Sequence, residues 1–395
     1  MLGIFKTRRP PRAMLASMID ERRFSKRLLP AAVALLLLAT AGSRAQTAPG
    51  SAAPDALPDP YRNSFDVRKI GDGVYALIRN YPPGLMVDGN SVFIIGKTGV
   101  VVVDAPEASS DMLEALRKLT PLPVTCVVNT HWHDDHIMGN HVYRDAFPGV
   151  RFVGHESMLA YLPGKGLENR KGMIEGAPQY AAQEKEAVAR NRHHDGTELT
   201  AEERAGYASD VRLVDRYMAE VPGAPVVLPT DPVKERKTLR LDGRKIEIYH
   251  LPGHTEADLV VFLPKERIAI TGDLVVFPVP LVGNPQSHVA SWARSLGRLR
   301  ALGASTYVPG HGPVLHDDTY AKQVEKLMGA IAEGAAAAAS KGEDIEGARR
   351  RIDLAGFRKQ FAGNSKLLGF LFDMYVSEPA VGEAFAEAKQ ERPGA

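Results

Sequence analysis

Residues 129–140 read NTHWHDDHIMGN, which gathers His131, His133, Asp135 and His136 into a span of six residues. Imidazole and carboxylate are poor core-formers and good metal donors. In extended backbone, residues two apart face the same way. His131, His133 and Asp135 are therefore expected on one side, with Trp132 and Asp134 on the other. Helical metal motifs use a four-residue spacing instead, so this reads as a loop motif, with His136 turning toward a second position as the next helix begins. An imidazole pair plus an Asp–His pair is more than one tetrahedral zinc takes from one loop, and the spacing points to two metals. Three further donors stand at strand-to-loop junctions: His254 in LPGHTEAD, Asp273 closing the strand of ITGD, and His311 in VPGHG. Each lies beside glycine, which lets backbone come close to an ion.

The elements that must position these donors alternate between strand and helix. GVYALI, NSVFIIG, GVVVVDA, PVTCVVN and VRFVGH are strand-like, bounded by Gly, Asn or Asp. ASSDMLEALRKL carries helical spacing at Met112, Leu113, Leu116 and Leu119, with Ser and Asp at its start. Strands resume at KTLRL, RKIEIYHL, ADLVVFLP and ERIAITGD, and a helix over 289–302 precedes STYVPG. Strands feeding helices predict an α/β architecture, in which ligand sites gather at strand ends. Residues 164–223 are charged and poor in β-branched types, and read as a helical insertion: a solvated face, or a cap over the site. From Asp318 onward the chain reads as helical, with an alanine run at 335–339 suited to packing, including packing across an oligomer interface.

THWHDDH, PGHT, TGD and PGHG, in that order, resemble the signature of the metallo-β-lactamase superfamily over roughly 67–313, the insertion excepted. The resemblance implies an αββα sandwich, two mixed sheets with helices outside. It implies that His131, His133 and His254 hold one zinc and that Asp135, His136 and His311 hold the second, with Asp273 bridging or completing it. Iron or manganese are alternative occupants. Asp104, closing GVVVVD, matches the family's strand-end aspartate, which supports the metal loop from behind. The chemistry implied is hydrolysis of an acyl bond in a small-molecule ester, lactone, thioester or β-lactam by a metal-activated hydroxide. Asp135 would orient the nucleophile and pass its proton to the leaving group.

Departures from subfamily patterns bound the substrate. The best-known zinc β-lactamases carry cysteine where this chain has Asp273, and a substrate-gripping lysine where it has Val276. Glyoxalase II enzymes have histidine at Trp132, flavin-linked di-iron relatives have glutamate at His133, and lactonases keep the aspartate. An iron-dependent redox enzyme and a zinc-binding protein without catalysis are the other readings. His141, His155, His193, His194, His250, His288 and His316 read as structural, although His250 and His316 lie near ligands in sequence. Trp132 suits either a pocket wall or plain packing.

With 49 basic against 47 acidic residues among 395, the charge balance gives no reason to expect nucleic acid as a partner. One cysteine, Cys126, allows no internal disulfide, and its apolar setting reads as a buried strand. The basic segment 22–27, the apolar run 28–42 and small residues at Ser43 and Ala45 fit a signal peptide cut after Ala45. That run is short for a membrane span, which needs about 20 residues. Met14 and Met18 are alternative starts, and Arg22-Arg23 a weak twin-arginine match. The expected layout is a signal at 1–45, a Pro/Ala-rich linker at 46–60, a catalytic domain at 61–316 and a helical extension at 317–395. The mature protein is expected in the periplasm or medium, without a stable membrane anchor.

Overall fold

The computed structural model describes residues 65–390 apart from 284–285. The expected signal and linker lie outside those residues. The β-branched runs before Asp104 and Asn129 form the middle of a seven-stranded sheet. Its strands, in both chain and spatial order, are β1 (Phe65–Gly71), β2 (Val74–Arg79), β3 (Ser91–Ile95), β4 (Val100–Val103), β5 (Val124–Val128), β6 (Arg151–His155) and β7 (Asp231–Val233). Pairing is antiparallel from β1 to β4 and parallel from β4 to β7. The second sheet, in spatial order, is β12 (Thr306–His311), β11 (Ile268–Val276), β10 (Leu259–Leu263), β9 (Arg244–His250) and β8 (Arg236–Leu241). Only its β11–β12 pair is parallel. β1 and β7 were not legible as strands, because in FDVRKIG the consecutive charges Arg68 and Lys69 break the apolar alternation and DPV is too short to show a period.

Successive side chains of a strand face opposite ways, and here both faces are covered. Val92, Ile94, Val101 and Val103 of the first sheet meet Ile246, Ile248, Val261 and Ile270 of the second in one apolar layer that also buries Cys126. The alternate residues Phe93, Val100, Val102 and Val127 pack outward on Met112, Leu113 and Leu116 of α1 (Ser109–Leu119). Leu119, expected on the same stripe, is exposed where that helix ends. On the far side Val260, Phe262 and Ala269 pack on α7 (Val289–Ala301) and α8 (Thr319–Ser340). The result is the αββα sandwich.

Between β5 and β6 lie α2 (Asp134–Ile137) and α3 (Asn140–Ala146). Between β6 and β7 run α4 (Met158–Tyr161), a π-helical turn, and the long pair α5 (Leu167–Arg190) and α6 (Ala201–Glu220), the latter opened by a Thr200–Glu203 capping box. After α8 come α9 (Ile345–Arg351), α10 (Ala355–Ala362), α11 (Lys366–Phe372) and α12 (Glu378–Gln390). Ala335, Ala338 and Ala339 are buried within the chain, in the same apolar cluster as α7 and α12, so that face of the alanine run is used internally. Among the described residues no helix is long and apolar enough to cross a membrane.

Candidate metal centre

The donors come from the segment after β5, the loop between β9 and β10, the interior of β11 and the end of β12. His131, His133 and His254 form one group whose ligand atoms all lie within 4.8 Å of one another. Asp135, His136 and His311 form a second such group, and Asp273 joins His131 and His136 in a third. All seven expected ligands are thus brought together. His131, His136 and His254 are fully buried, while Asp135 keeps partial exposure.

Local chemistry explains how each is aimed. The extended alternation reaches only to His133, which has β backbone and opens α2. Asp135 and His136 therefore arrive on consecutive positions of a helical turn, both facing His311, rather than on opposite sides of an extended loop. Asp134 points away and binds the insertion instead, receiving Arg170 on both oxygens and Tyr217 Oη at 2.9 Å. Trp132 both packs on Met158 and Ile137 and lines the cavity beside His133. Asp273 does not close its strand, because β11 continues to Val276 through register shifts at Gly272, whose φ is +51°. Such irregularities re-aim side chains, and here the shift turns Asp273 inward. The neighbouring glycines make room for side chains rather than for an ion. A Cβ on Gly310 would lie 1.9 Å from Asp273 Oδ1, and one on Gly253 would strike Trp292. After His254, Asp258 accepts from Thr255 N and Oγ1 and closes the turn.

The outward nitrogens fix the tautomers. His254 Nδ1 donates to Leu281 O at 2.8 Å, His136 Nδ1 to Asp104 Oδ2 at 2.9 Å, and His311 Nδ1 to Asp88 O at 3.2 Å. In the neutral form that binds metal, each ring then turns a bare Nε2 inward. His136 Nε2 and His311 Nε2 are 3.3 Å apart, and His254 Nε2 lies 2.9 Å from His133 Nδ1. Asp135 Oδ2 and Asp273 Oδ1 are buried without a hydrogen-bond partner. Lone pairs and orphaned carboxylate oxygens packed this closely need positive charge among them, from protons on the imidazoles or from bound cations, and the donor set fits divalent metal. Asp104 stands behind the cluster with φ +60°, accepting from Thr130 N at 2.7 Å and Thr130 Oγ1 at 2.8 Å as well as from His136.

The charges are strongly polarised. Burial would raise the Asp273 carboxyl, but the imidazoles of His311, His136 and His254 hold it well below the usual range. Burial opposes charge on His136, yet Asp135, Asp273 and Asp104 raise its pKa well above that of a free histidine. Burial takes His254 down to about 4. Such clustering of shifted groups marks functional sites.

Several residues at the site carried no local sequence signal. Gln286 Oε1 accepts from His133 Nε2 at 2.8 Å. The segment 81–88 overhangs the donor cluster and supplies Tyr81 Oη and Asp88 O to His311. That segment is clamped from two sides. Asp210 of α6 accepts from Leu85 N and Met86 N, and Tyr375 Oη donates to Leu85 O. A buried Arg79–Asp88 ion pair at 2.7 Å secures its end. Both the insertion and the C-terminal helices thus reach the site. His141, His155, His193 and His250 are engaged elsewhere, with Met138 O, Ser157, Glu203 and Glu256 O.

Two cavities meet the cluster. One, of about 270 Å³, reaches His311 and Tyr81, and the other, of about 210 Å³, reaches His133 and Asp135. Val87 lines both.

Comparison with known proteins agrees with this arrangement. The chain is 26% identical over 224 residues to the linear primary-alkylsulfatase of Pseudomonas sp. (strain ATCC 19151), a match covering 54% of this chain and 39% of that protein. It is 29% identical over 89 residues to the atrochrysone carboxyl ACP thioesterase of Aspergillus fumigatus, covering 22% of this chain and 20% of that one. The chain therefore spans well under half the length of both relatives. A metallo-beta-lactamase from Pontibacter korlensis aligns over 67% of this chain and 99% of its own, at 20% identity and a TM-score of 0.47. The sequence profile of the metallo-beta-lactamase superfamily matches residues 86–311, more than half of the chain, and within it lie all seven clustered donors. The chain belongs to the metallo-beta-lactamase superfamily.

Proposed function

We propose that this protein is an exported hydrolase that holds two zinc ions and cleaves an acyl bond in a small ester, lactone or thioester. His131, His133 and His254 would hold one ion, and Asp135, His136 and His311 the other, with Asp273 between them. The observation that carries the reading is the pair of inward-facing donor groups with Asp273 shared at their junction, each imidazole held from outside by an acceptor. Two divalent ions bound there would supply acidification of water and polarisation of the substrate carbonyl.

The chain's own residues do the rest. Asp135, whose side chain keeps partial exposure while its buried Oδ2 has no hydrogen-bond partner, orients the attacking water and carries its proton to the leaving group. Asp104 and Thr130 keep His136 in the donor tautomer, and Gln286 does the same for His133. The second cavity leaves Asp135 reachable, which weighs against a sealed zinc protein without turnover. Among the described residues lining the two cavities, the cations Arg68, Arg79 and Arg170 are each engaged by a carboxylate, on Asp66, Asp88 and Asp134, and Val276 is buried. A β-lactam carboxylate would therefore find no free buried cation, only the exposed Arg68, and neutral acyl substrates suit the site better. The alkylsulfatase relative favours one second reading, a sulfate ester in place of the acyl bond.

The test is metal analysis together with a substrate panel: p-nitrophenyl esters, a thioester, a lactone, p-nitrophenyl sulfate and a chromogenic cephalosporin. Two zinc ions per chain are expected, with acyl turnover that disappears with chelator and in Asp135→Ala. Two bound metals with no acyl turnover would refute the acyl-hydrolase reading, turnover of the sulfate ester alone would select the second reading, and a single iron would point to the redox alternative. Export is tested by fractionation, expecting a periplasmic or secreted chain that begins near Gln46.

A further inference from the structure

The larger cavity takes no part in the chemistry assigned to Asp135. One end touches His311 and Tyr81, and its walls are Ile78, Val87, Val276, Val279, Leu281 and Leu371. Two of its walls are tied directly to the metal cluster. Phe277 N donates to His311 O, and Leu281 O accepts from His254 Nδ1, so the segment 277–281 runs from one donor group to the other along the cavity. The opposite wall is the clamped segment 83–87. Tyr375 joins the two walls, its hydroxyl donating to Leu85 O and its carbonyl accepting from Val282 N. A mainly apolar cavity that opens on reactive groups and is held from both sides is a binding site for one part of a substrate.

We infer that this cavity is the subsite for an apolar chain on the substrate, placed so that the scissile bond falls between His311 and His133. The inference rests on the hydrolase reading for the bond but not for the chain. About 270 Å³, at roughly 30 Å³ per water-sized group, takes on the order of nine such groups, which is a chain of about eight to ten carbons. Arg68, already paired with Asp66, stands among the lining residues and adds a polar boundary to the apolar walls. Chains beyond that length are expected to gain nothing more.

The experiment is a series of p-nitrophenyl esters from acetyl to dodecanoyl on the zinc-loaded protein, with calorimetric binding of 1-octanol to the same protein alongside. Each methylene buried should raise kcat/KM about two- to four-fold, so octanoyl should exceed acetyl by about fifty-fold or more, with a plateau near ten carbons. Leu371→Trp and, separately, Val279→Phe should flatten the series and abolish octanol binding while acetyl ester turnover persists. The octanoyl-to-acetyl ratio is taken on one protein sample, so partial misfolding does not move it. Esters cleaved at rates independent of chain length, with no octanol bound, would overturn the inference and leave the hydrolase reading intact. Octanol bound by the native protein and lost in both variants, with no ester cleaved, would uphold the subsite and refute the acyl hydrolase. A chain-length series that survives both variants unchanged would place the chain elsewhere and overturn the inference.

Discussion

Asp210 lies far from the metal ligands in sequence yet holds the segment that overhangs them, and its replacement by asparagine separates that role from fold stability. The carboxylate accepts from Leu85 N at 2.9 Å, Met86 N at 3.0 Å and Tyr180 Oη at 2.6 Å, and the residue is 1% exposed. Asparagine keeps one acceptor oxygen but turns an amino group toward one of the two loop amides. Losing one such bond costs about 1–3 kcal/mol. Against this, burial pushes the Asp210 carboxyl up to about 6 from an ordinary 3.8. A raised carboxyl contributes stability below its unfolded value, and that contribution is lost as pH rises through about 6. Holding the buried carboxylate charged at higher pH therefore costs about 3 kcal/mol, a penalty that asparagine does not carry. The two effects nearly cancel above about pH 7, so Asp210→Asn should leave the global melting temperature within a few degrees of native there. Between pH 5 and pH 8 the balance should move in the variant's favour by about 1.5 kcal/mol, or roughly 2 °C. Locally, exchange of the Leu85 and Met86 amides should quicken on the order of tenfold. KM for a long-chain ester should rise, because both cavities share that wall. A loss of more than about 4 kcal/mol at pH 8, well beyond the cost of one such bond, or unchanged exchange at Leu85 and Met86, would refute the clamp and make Asp210 an ordinary part of the fold.

Four other perturbations test separate parts of the site. Asp104→Asn removes the charged acceptor behind His136 and should weaken zinc binding about 10- to 100-fold, read by competition with a chromophoric chelator, whereas unaltered affinity would show that Thr130 alone positions the loop. Gly310→Ala puts a Cβ where Asp273 Oδ1 now lies, so zinc stoichiometry should fall below two with the sandwich still folded by circular dichroism; two tightly held ions would show that the carboxylate can move aside. Glu184, raised to about 8 by burial and by Asp210, contributes stability that is lost as pH climbs through 8, so Glu184→Gln should gain about 2 kcal/mol over native between about pH 6.5 and 8 by denaturant titration. Chelation should lower the melting temperature of the native protein, and that drop should shrink in Asp104→Asn, since ligand-linked stability follows affinity.

The donors could be read from the sequence because each sits in a short motif whose residue types have few other uses. THWHDDH, GHT, GD and GHG keep their meaning whatever surrounds them, and the structure brings all seven ligands together. What local patterning misjudged was geometry. Alternation placed Asp135 beside His133 on an extended segment, but a single helical turn begins at Asp134 and delivers Asp135 and His136 side by side. Glycine beside a donor suggested room for an ion, yet Gly310 makes room for Asp273. Asp273 was expected at a strand end and lies within β11, where a register shift turns it inward.

The segment above the donors belongs to a class of feature that no local pattern reveals. PPGLMVD reads as an ordinary loop, Asp210 as one more charge on a solvated helix, and Tyr375 as one more aromatic near the C-terminus. Their meaning arises only when α6 and the C-terminal helices close on the same backbone from opposite sides, across separations of 125 and 290 residues. The burial of Asp210 and Tyr180 against that loop, rather than in solvent, distinguishes this insertion from a surface decoration. Since one clamp holds the wall shared by both cavities and the carbonyl that orients His311, substrate fit and ligand geometry are coupled through it. Loosening Asp210 should therefore impair long-chain esters more than acetyl esters, whereas a defect confined to the ligands would slow both alike.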